Sequence, residues 1–283
     1  QMHYISYTFQ RPRHYTQPYA LPGDTAVPYP RVHVVEVASK ANVEVKLPVR
    51  PGMLSIGGSV RDSAWAENSQ KLHLSWLMRG SKAVYLAEID AATGTSRIVA
   101  RDTGKTYVEI ANPQDPASFY VTKDLKDAFW WSERDGWGHL YRFDGAGVAN
   151  IIADPKKMSL APEPKAQITS GAWQVGQISY VDEVLRQVYF TGRGRDGFLY
   201  YPKLYRVNYD GTGLTLLTPE DGHHVITFSP SGKYFVDSYS RVESPPVTTL
   251  RSSATGAVLR NTLNGETEAL PVDGIFIAIG HTP

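Results

Sequence analysis

The chain repeats a phrase made of two aromatic or β-branched stretches, each ending in a polar or glycine-containing turn. Clear copies begin at KLHLSWLMRG, DAFWWSERDGWG and RQVYFTGRGRDG. A less regular copy lies near each end of the chain. Anchored on Val35, Tyr85, Tyr141, Tyr205 and Leu250, the copies are spaced by 50, 56, 64 and 45 residues. This is the range of four-stranded propeller blades with some loop insertion. The period predicts an all-β chain of about five four-stranded repeats.

Turn signals and alternation agree with this prediction. Dipeptides such as Asp135-Gly136, Asp144-Gly145 and Asp210-Gly211 punctuate stretches of period two, and no run of helical period competes with them. The segment from Arg11 to Pro30 is rich in proline and tyrosine, which excludes a helix or a central strand. We expect it to connect strands. The start QMHYISYTFQ has the pattern of a strand and not of a signal peptide, so we expect the native chain to begin upstream.

Composition excludes several classes of function. The chain has no cysteine, which excludes disulfides, thiolate nucleophiles and cysteine-ligated zinc. Its formal net charge of +1 gives no electrostatic reason to expect nucleic acid or an acidic membrane as a partner. No stretch of about 18 apolar residues is present to predict a membrane span.

Three longer segments carry a resemblance to a known family. They are SERDGWGHLYRFD (132–144), QITSGAWQV (167–175) and LYRVNYDGTGLTLLTPEDGHH (204–224), preceded by YALPGDTAVPYPRVHVVEV. Together they resemble the N-terminal β-propeller of the dipeptidyl peptidase IV group of prolyl oligopeptidase-like serine peptidases. The resemblance implies a propeller of seven or eight blades that caps an α/β-hydrolase domain, which releases dipeptides after proline or alanine. Residues 1–262 would then be a partial propeller.

The features that carry chemistry in this family are not expected in the chain. Gly57-Gly58-Ser59 and Ser170-Gly171 lack the strand-elbow-helix context of a nucleophile, and no Glu-Glu pair is present to hold a substrate amino terminus. We therefore predict no catalytic residue and no cofactor. The expected partners are a peptide substrate and the hydrolase domain of the same parent protein, and open sheet edges favour a homo-oligomer. The family suggests the periplasm or cytoplasm of a bacterium, and the sequence does not decide between them.

The C-terminal tail does not follow the sequence pattern of the repeats. Residues 263–283, most clearly LPVDGIFIAIGHTP, resemble the end of flavin-dependent thioredoxin reductases. The likeness spans about twenty residues, and we interpret it as a fusion of unrelated coding segments and not as a flavin site. A flavin-dependent reductase fragment is nevertheless a weaker alternative for the function. The other alternative is a non-catalytic propeller that serves as a scaffold for protein partners.

Two residues are candidates for substrate binding. Arg134 lies in the charged turn Ser132 to Gly136, where it would either pair with neighbouring strands or orient a peptide carboxylate or carbonyl. Trp137 lies between two glycines and need not be buried, whereas the other five tryptophans are expected in the core.

Other chemistry-bearing residues predict structure. His223 and His224 would face opposite sides of a strand, which argues against a metal pair. Four acidic residues are expected to act as soluble strand ends without chemistry; they are Asp124, Asp127, Glu133 and Asp135.

Overall fold

A computed structural model of the chain describes residues 2–21, 23–47, 53–56, 65–66, 69–109, 119–147 and 162–259. These residues contain strands, turns and bends but no helix. Their strands form four four-stranded sheets and two two-stranded ribbons, all antiparallel. The prediction of an all-β partial propeller is confirmed.

The two ribbons come first in the chain. Ribbon 1 pairs β1 (Met2–Ser6) with β2 (Arg13–Gln17), and ribbon 2 pairs β3 (His33–Val35) with β4 (Asn42–Glu44).

The four larger sheets follow, each with its strands in sequence order. Sheet 1 contains β5 (Met53–Ile56), β6 (Lys71–Leu77), β7 (Ala83–Asp90) and β8 (Ser96–Thr103). Sheet 2 contains β9 (Phe119–Val121), β10 (Asp127–Ser132), β11 (His139–Asp144) and β12 (Ala166–Gln167). Sheet 3 contains β13 (Gln174–Asp182), β14 (Gln187–Arg193), β15 (Lys203–Asn208) and β16 (Thr215–Leu216). Sheet 4 contains β17 (His223–Phe228), β18 (Tyr234–Arg241), β19 (Ser244–Ser252) and β20 (Val258–Leu259).

The sequence period corresponds to these sheets. Tyr85, Tyr141, Tyr205 and Leu250 each lie on the third strand of a four-stranded sheet. Val35, the first anchor, lies in ribbon 2, which has two strands among the described residues. Four of the five repeats are therefore seen as complete sheets.

The sheets stack face to face because their strands are apolar on both sides. On β10, Ala128 and Trp130 pack against sheet 1, whereas Phe129 and Trp131 pack against sheet 3. A smaller cluster that includes Phe235 joins sheets 3 and 4. Alternation of side chains along a strand thus supplies two packed interfaces from one sheet.

The first ribbons differ in how they are supported. Ribbon 2 packs on sheet 1, where Val34 and Val45 join a cluster with Leu74. Ribbon 1 is mostly exposed, with Tyr4 stacked on Tyr15 at a centroid distance of 5.4 Å.

The expectation that residues 11–30 only connect strands was wrong for β2. Prolines at positions 12 and 18 flank this strand without interrupting it, and its partner β1 lies on one side only. An edge strand between prolines is compatible with proline's missing donor.

The turn between the third and fourth strands of each sheet approaches the preceding sheet or ribbon closely. Each of these turns contains a glycine with a positive φ: Gly94, Gly147, Gly211 and Gly256. A Cβ atom on these glycines would lie 2.2 Å from Glu44 O, 2.7 Å from Ile98 O, 3.0 Å from Ile168 O and 2.3 Å from Leu217 O, respectively. In every case the carbonyl belongs to the last strand of the preceding sheet or ribbon, or to the residue after it. Glycine is required both for the backbone conformation and for the close approach.

Arginine side chains reinforce the same contacts. Arg142 Nη1 donates to the carbonyl of Tyr209 at 3.1 Å, and Arg206 Nη1 donates to that of Ala254 at 2.6 Å. Both arginines follow the anchor tyrosine of their repeat, and both carbonyls lie at the turn of the next sheet. The repeated Tyr-Arg pair therefore links consecutive sheets.

Two predictions about the chain ends lie partly beyond the structure. The proposed boundary at residue 262 and the tail 263–283 lie outside the described residues, so the two-domain organisation stays a prediction. Within the described residues, no helix has the length and hydropathy of a membrane span.

The stacking contact predicts a large effect for Gly94→Ala. The new methyl group meets Glu44 O in addition to the strain of a positive φ, whereas Gly136 also has a positive φ but would have no atom within 4 Å of an added Cβ. We expect Gly136→Ala to lower the free energy of unfolding by about 1–2 kcal/mol. Gly94→Ala should cost about 1–3 kcal/mol more, because the packed sheets must separate. Urea unfolding measures the free energy of unfolding of both variants. Equal losses of stability would contradict the role of Gly94 in packing.

Candidate functional site

The antiparallel order of each sheet separates two kinds of loop. Turns between second and third strands lie at the same end as the connections between sheets, whereas the remaining turns lie at the opposite end. We call the former the connection end; it carries the turns 78–82, 133–138, 194–202 and 242–243. Arg134 and Trp137 both lie there.

A cleft of about 400 Å³ opens at the connection end between β13 and β17. Its polar lining includes side chains from three strands, β13, β14 and β17, and from the segment after β8. These are Glu109, Gln174, Gln177, Thr191, Arg193 and His223. Trp131 forms part of the apolar wall. The first strands of sheets 3 and 4 thus form the two sides of a polar cleft.

A β-bulge shapes the cleft. The register between β13 and β14 shifts between Val175 and Ile178, so Gly176 and Gln177 fall in the irregular part of the strand. The backbone N–H of Gln177 donates to Thr191 Oγ1 at 3.1 Å, and a Cβ on Gly176 would lie 2.5 Å from that oxygen. Bulges bend a strand and redirect its side chains. Here the bulge directs the backbone of β13 toward Thr191 at the cleft.

The turn that contains Trp137 is tied to this cleft. Trp137 is 42% exposed, and its backbone N–H donates to Asp135 Oδ1 at 3.2 Å. The next residue, Gly138, donates its N–H to Oε1 of the cleft residue Gln174 at 3.2 Å. Burial raises the pKa of Asp135, but the bonds from the Trp137 N–H and the Gln167 amide outweigh it and hold that pKa below the ordinary value. Trp137 is therefore an exposed ring on a fixed turn beside the cleft.

Arg134 is placed differently, against sheet 1. Its Nε donates to Ser132 Oγ and its Nη2 to the carbonyl of Arg101, each at 3.0 Å. The guanidinium lies 4.8 Å from the ring centroid of Tyr141, and its Nη1 lies 4.0 Å from the exposed carboxylate of Glu163. Most of its donors hold the turn in place. Arg134 is not among the residues that line the cleft.

Two nitrogen-bearing side chains of the cleft, Arg193 and His223, lack a close carboxylate among the described residues. Arg193 is exposed at the end of β14, and none of the ion pairs between described residues includes Arg193 or His223. Burial lowers the pKa of His223 below its ordinary value of 6.5, and the positive charge of Arg193 and neighbouring His224 lower it further. The surroundings of His223 therefore favour its neutral form.

A buried charge network lies behind the cleft. Asp237 is fully buried and contacts His224 Nδ1 at 2.7 Å and Arg251 Nε at 2.8 Å. Arg251 Nη2 also lies 2.7 Å from Glu220 Oε2. Burial raises the pKa of Glu220, but its bond with Arg251 outweighs this and lowers the pKa below the ordinary value.

His224 and Asp237 resemble two members of a catalytic triad, but the geometry excludes that role. His224 Nε2 lies 3.0 Å from the carbonyl of Glu220, which can only accept a hydrogen bond. The nitrogen that would activate a nucleophile is therefore occupied. The pair stabilises sheet 4 and supports the wall of the cleft.

Other sequence candidates are structural. His223 is exposed and His224 is buried, so the pair faces opposite sides as alternation predicts. Among the described residues no group of three potential ligands could hold a metal. Asp127 was wrongly expected at a soluble strand end: it is buried and lies 3.6 Å from Arg142 Nε and 3.3 Å from Arg186 Nη2. The stacking of sheets 2 and 3 covers it.

One glycine pattern invites a nucleotide-binding interpretation. Gly192, Gly194 and Gly197 have the spacing G-x-G-x-x-G after a strand. The segment is a turn between antiparallel β14 and β15, and no helix follows to bind a pyrophosphate at its N-terminus. It therefore does not form a dinucleotide site of the Rossmann type.

Sequence reasoning missed most of the cleft. Gln174, Gln177, Thr191 and Arg193 were not candidates, because ordinary strand residues do not reveal which neighbours they will meet. Gly176 within a strand was the available signal, since an interior glycine often marks a bulge or a close approach.

The buried network predicts a strong dependence of stability on Asp237. Asp237→Asn removes the carboxylate that faces both His224 and Arg251, so we expect the free energy of unfolding to fall by about 3–5 kcal/mol. Asp221 pairs with Arg241 at 3.2 Å on the surface, and Asp221→Asn should cost less than about 1 kcal/mol. Chemical denaturation of both variants provides the comparison. Similar losses would show that the network contributes no more than a surface pair.

The lowered pKa of His223 predicts that this residue contributes to the pH dependence of the free energy of unfolding. Because its pKa is lowered in the folded chain, the unfolded chain binds more protons as the pH falls below 6.5. Acidification then destabilises the fold through His223, and His223→Gln removes this component. Unfolding free energies at about pH 7.5 and about pH 5.5 should fall more for the parent chain than for the variant. An identical decrease in both would contradict the assignment.

The chain is similar in sequence to a known protein family and to a curated protein. Residues 1–246 match the model of the family described as Dipeptidyl peptidase IV (DPP IV) N-terminal region. A curated protein of Trichophyton verrucosum (strain HKI 0517), named "Probable dipeptidyl peptidase 4", is 22% identical over 249 residues. That match covers 80% of this chain and 29% of the relative.

Solved structures show the same fold. Porphyromonas gingivalis dipeptidyl peptidase 4 matches with a TM-score of 0.68 and 22% identity, over 92% of this chain and 33% of its own. A candidate dipeptidyl aminopeptidase IV from Bacteroides ovatus ATCC 8483 matches with a TM-score of 0.65 and 22% identity, over 91% and 36%. The chain thus spans about a third of the length of these relatives.

Proposed function

The chain belongs to the family of dipeptidyl peptidase IV N-terminal regions, and from this premise we propose that it is the peptide-orienting part of a dipeptidyl-peptidase-type serine peptidase. An α/β-hydrolase domain of the same parent protein, outside this chain, would release X-Pro or X-Ala dipeptides. The propeller would gate the access of short peptides and orient them for that domain. Proteolysis is then a property of the parent and not of this chain alone.

The polar cleft at the connection end is the observation that carries this proposal. Binding sites are concave and place a few polar groups in fixed positions. Gln174 and Thr191 are such groups, because each is held by a backbone bond, from Gly138 and Gln177 respectively. The cleft supplies groups that bind, and its described lining residues do not form a nucleophile-base pair.

The two residues predicted from sequence would act beside this cleft. The exposed indole of Trp137 would contact the peptide as it approaches. Arg134 would hold the turn against sheet 1 and offer its Nη1 to a peptide carbonyl or carboxylate, in competition with the exposed Glu163. Both roles are proposals that binding measurements can decide.

A scaffold for protein partners is the second candidate function. Phe198, Leu199 and Tyr200 are each more than half exposed in the turn between β14 and β15, also at the connection end. Exposed apolar groups of this kind often mark protein interaction sites. The flavin reductase alternative has less support, because it rests on residues 263–283, which lie beyond both the family match and the described residues.

The first test is turnover of a prolyl dipeptide chromogenic substrate such as glycyl-prolyl p-nitroanilide. We expect no turnover by the purified chain, because it lacks a nucleophile elbow, and turnover after a matching hydrolase half is added. Turnover by the chain alone would contradict the proposal that catalysis belongs to a separate hydrolase domain. A hydrolase half that is equally active with and without the chain would exclude an orienting role.

A second test compares the two exposed tryptophans. Trp65, wrongly expected in the core, is as exposed as Trp137, at 42%. Neither lines the cleft, but the turn of Trp137 is bonded to the cleft residue Gln174 through Gly138. Trp137→Ala should weaken the binding of a prolyl peptide by about tenfold, since loss of one aromatic contact costs about 1–2 kcal/mol. Trp65→Ala should leave binding unchanged. Equal effects of the two changes would remove Trp137 from the site.

A further inference from the structure

The charge of the cleft determines what part of a peptide it can hold. Arg193 and His223 contribute cationic or proton-accepting nitrogens, and neither makes an ion pair with another described residue. The neighbouring imidazole of His224 is already matched to Asp237 at 2.7 Å. An anionic ligand would therefore meet the guanidinium of Arg193, whose charge no ion pair with a described residue compensates.

The carboxylates around the cleft are accounted for. Glu109 lines it but makes no ion pair with Arg193 or His223 among the described residues, and it has contacts of its own. Asp237 and Glu220 are engaged with Arg251 at 2.8 Å and 2.7 Å. None of these three groups neutralises Arg193.

The positions of the donors suit a carboxylate. Arg193 lies opposite Gln174 in the pairing of β13 with β14, and Thr191 is two residues before it on the same strand. The planar guanidinium offers two parallel N–H donors to a carboxylate, and a neutral amide can add a third. Gly176 lets the backbone of β13 lie close to Thr191, since a Cβ there would be 2.5 Å from Thr191 Oγ1.

We propose that the cleft binds a carboxylate group of the peptide through Arg193, with His223 beside it as a second contact. This inference rests on the proposed function, because it names the part of the peptide that the cleft recognises. The carboxylate could come from the peptide's C-terminus or from an acidic side chain, and the two sources share the same chemistry. Arg193 thereby sets a preference among peptides of otherwise equal sequence.

Carboxylate binding is also linked to protonation. His223 is surrounded by Arg193 and His224 on the positive side and by Glu109 on the negative side, with Asp237 and Glu220 behind His224. A bound carboxylate offsets the repulsion between Arg193 and a protonated His223. Binding should therefore take up a proton and become tighter as the pH falls below 6.5.

The test uses three forms of one tetrapeptide with the purified full chain. The probes are Ala-Pro-Ala-Ala as the free acid, the same peptide as its C-terminal amide, and Ala-Pro-Ala-Glu as an amide. Calorimetry measures affinity, with the intrinsic tryptophan fluorescence of the chain, to which the cleft residue Trp131 contributes, as a second readout. We expect the free acid to bind about tenfold more tightly than the neutral amide, a difference typical of one charge-assisted bond. The glutamate amide shows whether a side-chain carboxylate can substitute.

Matched arginine variants locate the effect. Arg193→Gln should remove the preference for the acid, so that the free acid and the neutral amide bind with equal affinity. Arg195→Gln changes an arginine two residues away that pairs with Asp196 at 3.2 Å and lies outside the cleft lining, so the preference should persist. His223→Gln should abolish the tightening at low pH. Circular dichroism of each variant verifies the fold, which an exposed substitution should preserve.

The outcomes separate the two proposals. Equal affinity for acid and amide, or equal effects of the two arginine changes, would overturn the carboxylate site and leave a peptide-binding cleft intact. Absence of binding by all three peptides would reject both the carboxylate site and the proposed function.

Discussion

Close contact between each glycine turn and the preceding sheet is the constraint on which the rest of the structure depends. Gly94, Gly147, Gly211 and Gly256 let a turn approach a backbone carbonyl of the neighbouring sheet more closely than any other residue would allow. Bulky side chains such as Trp130 and Phe129 can then fill both faces of a strand, because the spacing between sheets is set by these contacts. The repeat in the sequence thus corresponds to a repeated contact between a glycine turn and the neighbouring sheet.

Stacking of sheets 3 and 4 in turn creates the cleft. It brings the first strands of the two sheets together at the connection end, where Gln177, in the bulge of β13, and His223 both line the cleft. The buried network of His224, Asp237 and Arg251 fixes the wall on the side of sheet 4. Polar groups are thereby held in position at the cleft.

The proposed division between peptide binding in this chain and catalysis in another domain rests on these features. A chain that spans about a third of its relatives and carries a cleft of hydrogen-bonding groups fits a module that orients a ligand for a neighbouring domain. The uncompensated charge of Arg193 adds selectivity to that role, since the cleft would favour one end or one kind of side chain of a peptide. The same connection end carries the exposed Phe198 and Tyr200, so ligand binding and contact with another protein surface would occur close together.

The sequence by itself determined the class of fold, the length of the repeat and the family, because alternation and turn chemistry are local properties of the chain. Tyr85, Tyr141, Tyr205 and Leu250 could be assigned to equivalent strands for this reason. Only the tertiary structure decided which faces meet. Asp127 is buried rather than exposed, and Arg193 and His223 line one cleft although 30 residues separate them. Burial and proximity depend on how neighbouring sheets stack, which no local pattern encodes.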